Sequence, residues 1–260
     1  VIRLAECTFI EAGRLAADAR SVVLLPLGAL EEHGPHLPLL VDWLGAEEIA
    51  RRLGPLLTRA GLRPVLAPAL PYGASPLARG FAGTVSLSRA TLRRVVVEIV
   101  RQLIGHGFRR FVLCNYQADP EHLRAMEDAR RQIVRTRGIR VLFAGFTPSG
   151  SAAMTHPKVG ALLRSPRPEY EWHSGEMETS TVLAVAPRLV RQRLAHRLRP
   201  VRVDFRAGLR RRRPSFKAMD PKGRGYFGSP ALARAQTGRR AMALRVRLIA
   251  AEIVAALRPR

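Results

Sequence analysis

Two cysteines, Cys7 and Cys114, are too few for a disulfide framework and wrongly spaced for a cysteine zinc site. Any metal must therefore be held by histidine and carboxylate. Long apolar runs are also missing: none approaches the ~20 residues that carry a helix across a bilayer, so no membrane partner is expected. Lysine is scarce, with Lys158, Lys217 and Lys222 against 41 arginines, and only 20 acids oppose them, leaving a formal net charge of +24. Such an excess invites a nucleic acid or another anionic partner. The arginines, however, spread through nearly every segment among alanines and leucines, as arginine-favouring codon usage produces. Aromatic residues make up 6% of the chain and form no base-stacking series, so nucleic acid ranks last among the readings. The densest stretch, Arg188 to Arg213, contains one acid, Asp204, and reads either as a docking patch for an anion or as a solvated loop against a neighbouring subunit. The opening residues, Val1 to Glu6, lack the order of a signal peptide, and the cytoplasm is the expected compartment.

What is present is ordinary globular chemistry: 47% apolar and 25% charged residues over 260 positions, enough for one large α/β domain. Ser21 to Leu27 is a short, continuous apolar run ended by Gly28, the pattern of a strand buried on both faces. Similar runs recur at Arg63 to Ala67, Phe111 to Asn115 and Arg140 to Phe146. Helical patterns lie between them, at Trp43 to Arg59, around Leu92 to Leu103, and at Glu121 to Arg137. Met242, Val246, Ile249, Ile253 and Leu257 mark a last helix. The alternation predicts a mostly parallel sheet covered on both faces, with ligands beyond the carboxyl ends of its strands. No repeat, linker or composition shift divides residues 1–260, so a single domain is expected.

Two polar clusters stand out. The first strand is followed by Gly28-Ala29-Leu30-Glu31-Glu32-His33-Gly34-Pro35-His36-Leu37-Pro38, then Asp42. Glu31 and His33 are two apart and project to one side of an extended segment, and the Gly-Pro turn can return Asp42 towards them. Carboxylates and an imidazole converging there suit Zn²⁺ or Mn²⁺; the plainer alternative is a solvated loop with Asp42 as a helix N-cap. The second cluster, Glu171 to Ser180, places Glu178 at a helix start, where the dipole favours a negative charge. His173 serves there either as a proton donor or as a cap.

Together these stretches carry a resemblance. Leu27-Gly-Ala-Leu-Glu-Glu-His-Gly-Pro-His-Leu-Pro38 with Asp42 resembles the signature loop of the creatininase (creatinine amidohydrolase) family, and His173-Ser-Gly-Glu-Met-Glu-Thr-Ser180 resembles its second signature. Tyr72-Gly-Ala-Ser75, the strand ending at Asn115, and Gly228-Ser-Pro230 agree in order. The resemblance implies a three-layer α/β/α sandwich, often a homohexamer, with a two-metal site that hydrolyses C–N amide bonds, and one or two ions per chain are expected here. It implies Glu31, His33, Asp42 and Glu178 as metal ligands, His173 and Glu176 as the catalytic candidates, and Ser75, Tyr116 and Trp172 as substrate contacts. One position departs: where the family has Asn-Gly-His-Gly-Gly-Asn, this chain has Asn115-Tyr-Gln-Ala-Asp-Pro120, so that Gln117 replaces a ligating histidine. A carboxamide is a weaker donor to Zn²⁺ than imidazole, and Asp119 is the nearest replacement ligand. Ala78 stands where many members have a histidine.

The expectation is thus a metal-dependent amidohydrolase using Zn²⁺ or Mn²⁺, with Fe²⁺ as a third choice. Its substrate would be a cyclic amide, a formamide or a short peptide, cleaved by water activated on the ion. The alternative is a divergent member retained for binding or assembly, with its arginine-rich surface as docking face.

Overall fold

The computed structural model describes residues 1–150, 152–210 and 214–257. Five strands, β1 (Ile2–Arg3), β2 (Ser21–Leu27), β3 (Arg63–Leu66), β4 (Arg110–Asn115) and β5 (Arg140–Gly145), form one parallel sheet in the order β1-β3-β2-β4-β5. The long helices are α1 (Phe9–Ala17), α2 (Val41–Arg59), α3 (Arg89–Gly105) and α4 (Pro120–Ile133). After β5 come α5 (Pro157–Gly160), α6 (Glu176–Val185), the one-turn helices α7 (Gln192–Ala195), α8 (Phe205–Leu209) and α9 (Phe216–Met219), and finally α10 (Ala235–Leu257).

Every residue of β2 is buried, because strand alternation sends its side chains into two different cores. Val22 and Leu24 pack with Ile49, Leu53 and Leu57 of α2 and with Val246, Ile249 and Ile253 of α10. Val23, Leu25 and Leu27 pack with Leu92, Val96 and Val100 of α3 and with Met126, Ala129 and Ile133 of α4. The result is the expected α/β/α sandwich. Pro26 is tolerated in this central strand because β3 pairs with β2 only from Ser21 to Leu24; beyond that, the Pro26 carbonyl still accepts from the Leu70 N–H.

The strand order reverses direction between β2 and β4, which creates a crevice beyond their carboxyl ends. A third cluster, built on Phe216, Tyr226 and Phe227 with Trp172 against it, roofs that end of the sheet. The edge strand β1, the one-turn helices and α1 escaped the sequence reading, the last although Thr8 and Glu11 form a capping box. The helix expected to run to Arg137 stops at Ile133, since the chain turns through Gly138 at φ 80° to enter β5. Helices α6 and α10 touch backbone to backbone: a Cβ on Gly238 would lie 2.0 Å from the Ser180 carbonyl oxygen.

Candidate metal centre

The loop leaving β2 is pressed against the start of α2. A Cβ on Gly28 would lie 2.4 Å from the Trp43 Cα, so only glycine permits the approach that sets Asp42 beside His33. Asp42 is the second residue of α2, and its carboxylate does not cap; the N-cap position belongs to Leu40 and has no side-chain bond. The plain capping alternative is thereby excluded. His33 Nδ1 contacts the Glu31 carbonyl at 3.1 Å, which assigns its proton to Nδ1 and leaves a lone pair on Nε2. That lone pair faces Asp42 Oδ1 at 3.7 Å and Glu178 Oε2 at 3.8 Å. His33 Nε2 and Asp42 Oδ2 are both buried and lack any hydrogen-bond partner. A lone pair turned towards two carboxylates is unfavourable unless a proton or a metal ion lies between them, and one imidazole with two carboxylates is a donor set that fits a divalent ion.

Glu178 is delivered by the second cluster. Ser174, at φ 54°, is the described non-glycine residue with positive φ, and this strained turn aims its N–H at Glu178 Oε2. His173 lies next to His33, with ring centroids 4.6 Å apart. Its Nε2 meets the Glu32 carbonyl oxygen at 3.1 Å and Glu32 Oε1 at 3.3 Å, while Nδ1 lies 3.8 Å from Glu31 Oε1. Ligand atoms of Glu31, His33 and His173, and separately of His33, Asp42 and Glu178, converge within 4.8 Å.

The electrostatics follow from crowding. Burial, opposed by His173 and by bonds from Ser75 and Gln117, holds the Glu31 carboxyl up at about 7. Burial and then the Glu31 and Glu178 charges push Asp42 well above the usual carboxylate range; burial likewise raises Glu178. Burial also drives the His33 imidazole well below its ordinary value. For His173 burial acts in the same direction, but the Glu32 hydrogen bond and the surrounding carboxylates outweigh it and raise the imidazolium to about 9. Several carboxylates facing one imidazolium form a centre short of positive charge.

Gln117 occupies the crevice but presents the opposite polarity to the one expected. Its Oε1 accepts from the Ala118 and Asp119 N–H groups at 2.7 and 2.9 Å. The carboxamide nitrogen is therefore fixed towards the cluster, donating to Glu31 Oε2 and, at 2.9 Å, to Ser75 Oγ. As placed, Gln117 offers Glu31 an N–H and offers no lone pair to an ion. Ser75 accordingly stands behind Glu31. Asp119 does not turn inward as a ligand: Oδ1 caps α4 through the Glu121 N–H, and Oδ2 accepts from the Leu77 N–H. Glu176 also leaves the catalytic set, because its carboxylate accepts from the Arg164 and Ser165 N–H groups and ties down that loop.

A cavity of about 490 Å³ opens beside the cluster, and Tyr116, Trp172 and Glu178 are among its walls. Glu178 is the ligand candidate with the most exposed side chain, at 14%, and is the edge through which the cluster meets the cavity. Trp172 is held there by its stack on Phe227, 4.1 Å between centroids, and by its Nε1–H bond to the Val203 carbonyl. Two neighbours escaped the sequence reading. Glu32 orients His173, and its place beside Glu31 was the available signal; Arg245 was hidden in the apolar stripe of α10. Arg211 to Arg213, the heart of the basic run, lie outside the described residues.

The profile of one protein family, Creatininase, described as creatinine amidohydrolase, matches residues 5–253. A mycofactocin precursor peptide peptidase of Mycobacterium ulcerans (strain Agy99) is 33% identical over 227 residues, 85% of this chain and 80% of the relative. A creatinine amidohydrolase of Pseudomonas putida is 33% identical over 201 residues, 71% of this chain and 72% of its own length. Among solved structures, one described as creatininase with Mn gives a TM-score of 0.76 at 26% identity, over 99% of each chain. A mutant creatininase of the Zn-Zn type gives 0.78 at 28% identity, over 99% of this chain and 98% of the other.

Proposed function

Since this chain belongs to the creatininase family, we propose that it hydrolyses a C–N amide bond in a small amide or a short peptide, using one tightly held divalent ion and a weaker second position. A metal-dependent amidohydrolase is the general class that the family and the two buried clusters support. The observation that carries the reading is the orphaned pair His33 Nε2 and Asp42 Oδ2, buried opposite Glu178. These three residues would hold the tight ion, and Zn²⁺ or Mn²⁺ suits one imidazole with two carboxylates. Such an ion supplies a Lewis acid and lowers the pKa of water at that point.

The second position would draw on Glu31 and Asp42. Gln117 weakens it, because the N–H bound to Glu31 occupies an oxygen that an ion would need. His173 is the residue that moves a proton. Its Nε2 is anchored on Glu32, so Nδ1 faces the centre and gives its proton to the departing amine. Tyr116 and Trp172 form walls against which the substrate body is placed, and Ser75 acts by holding Glu31. We extend the reading to a homo-oligomer working in the cytoplasm, by likeness to the family.

Elemental analysis of protein purified without added metal, run with an amide panel, tests the proposal. The expected result is about one ion per chain, and cleavage that falls at least a thousandfold in His33→Ala while circular dichroism is unchanged. Wild-type protein that retains no ion after reconstitution with Zn²⁺ or Mn²⁺ and gel filtration would sink it.

A further inference from the structure

Arg245 is 5% exposed, the most deeply buried charged group of α10. Its Nε and Nη2 donate to the Met154 carbonyl at 3.1 and 2.9 Å, and its Nη1 reaches the Tyr116 hydroxyl at 3.4 Å. All these partners are neutral. Among the described residues no carboxylate forms an ion pair with it, whereas Glu48, Glu127 and Asp220 each hold less buried arginines at 2.5 to 2.9 Å. A guanidinium has five N–H groups, so one on each Nη remains after these bonds, a fork able to donate bidentately to a carboxylate. The carboxylate that feels its charge without touching it is Glu178, which the metal centre claims; a buried guanidinium without a direct ion-pair partner is costly, and it persists where a ligand brings the opposite sign.

The position says which ligand. Arg245 and Glu178 line the same cavity; Glu169, paired with Arg167, and Glu171, which accepts from the Glu176 and Ser229 N–H groups, also reach its wall, and the rest is largely apolar, with Phe146, Met154, Val159, Leu163 and Phe205. The cavity is therefore bordered both by the metal centre, through Glu178, and by a guanidinium with no direct ion-pair partner, and its apolar wall suits a hydrocarbon group. We propose that Arg245 binds a carboxylate on the substrate, so that the amide cleaved belongs to an anionic molecule with an apolar side group, such as an acylated amino acid or a peptide carboxyl end. This rests on the amidohydrolase reading for what happens at the metal centre, but binding alone tests it.

N-acetyl-leucine and its neutral counterpart, N-acetyl-leucinamide, are titrated calorimetrically into the purified protein. The wild type is expected to bind the carboxylate at least tenfold more tightly. In Arg245→Met the ratio should fall to about one; in Arg245→Lys, which keeps charge and stem and covers the case in which the first variant does not fold, it should fall about threefold. A carboxylate that instead binds the ion would keep its preference in both Arg245 variants and lose it in His33→Ala; that result, or an equal affinity for the two ligands in wild type, overturns the proposal. Retained preference in His33→Ala supports it. Discrimination without turnover of any amide would leave the carboxylate site standing and remove the hydrolase reading; turnover without discrimination does the reverse.

Discussion

The two halves of the buried cluster use the same kinds of residue to opposite ends. On the His33 side, an imidazole lone pair faces Asp42 and Glu178, and two polar atoms have no partner. On the Glu31 side, the carboxylate is met by the Gln117 N–H, and His173 is turned to Glu32. Donor identity is thus insufficient to define an ion site. What decides is whether the atoms around it offer lone pairs or protons, and a single carboxamide reverses that sign.

The largest expected effect separates the halves directly. Asp42→Asn should weaken ion retention more than a hundredfold, whereas Glu31→Gln should leave the tight ion within about threefold, both read by metal content after dialysis against a chelator. Equal loss in both would show a single, undivided site. Next in size is Gln117→His, which supplies a lone pair: two-step calorimetric titration should show the second step tightened by about tenfold or more and the first unchanged. If neither step moves, Gln117 does not govern the Glu31 half.

The smallest effect sharpens the contrast with a histidine outside the cluster. His122 is fully buried on α4, accepts from the Ala74 N–H at 3.3 Å, and is held neutral by burial, its pKa depressed to about 3. The unfolded chain takes up this proton below about pH 6.5 and the folded chain does not, so the stability contributed above that pH is lost as pH falls towards 3. Between pH 6.5 and 5 that is about 2 kcal/mol, or roughly 4–8 °C in Tm. His122→Gln should show a drop in Tm smaller by that amount over the same interval in scanning fluorimetry; an identical drop would assign acid sensitivity to other groups.

Much of this was legible beforehand, and the remainder was not for identifiable reasons. The apolar runs that became β2 to β5 and the stripe of α10 were readable because burial on both faces or on one leaves a pattern in sequence. The grouping of Glu31, His33, Asp42, His173 and Glu178 was readable by resemblance, and the fold brings their side chains together. The orientation of Gln117 was not, because it is set by two backbone N–H groups that exist only once the loop folds. Asp119 was misjudged although Asp followed by Pro120 and Glu121 is a helix-start signal. Arg245 was invisible among Met242, Val246 and Ile249, since a periodic stripe announces which face is buried but not that one of its members is charged.

The backbone contact between Gly238 and Ser180 has a consequence in time. Glu178 is seated by α6, and α6 is seated against a helix about 60 residues further along the chain. At ~5–20 residues per second, a ribosome takes roughly 3–12 s to cover that interval. The loop with His33 and Asp42 therefore emerges, and meets the ions of its surroundings, before its third ligand has a platform. Final closure of the centre waits until α10 has been made.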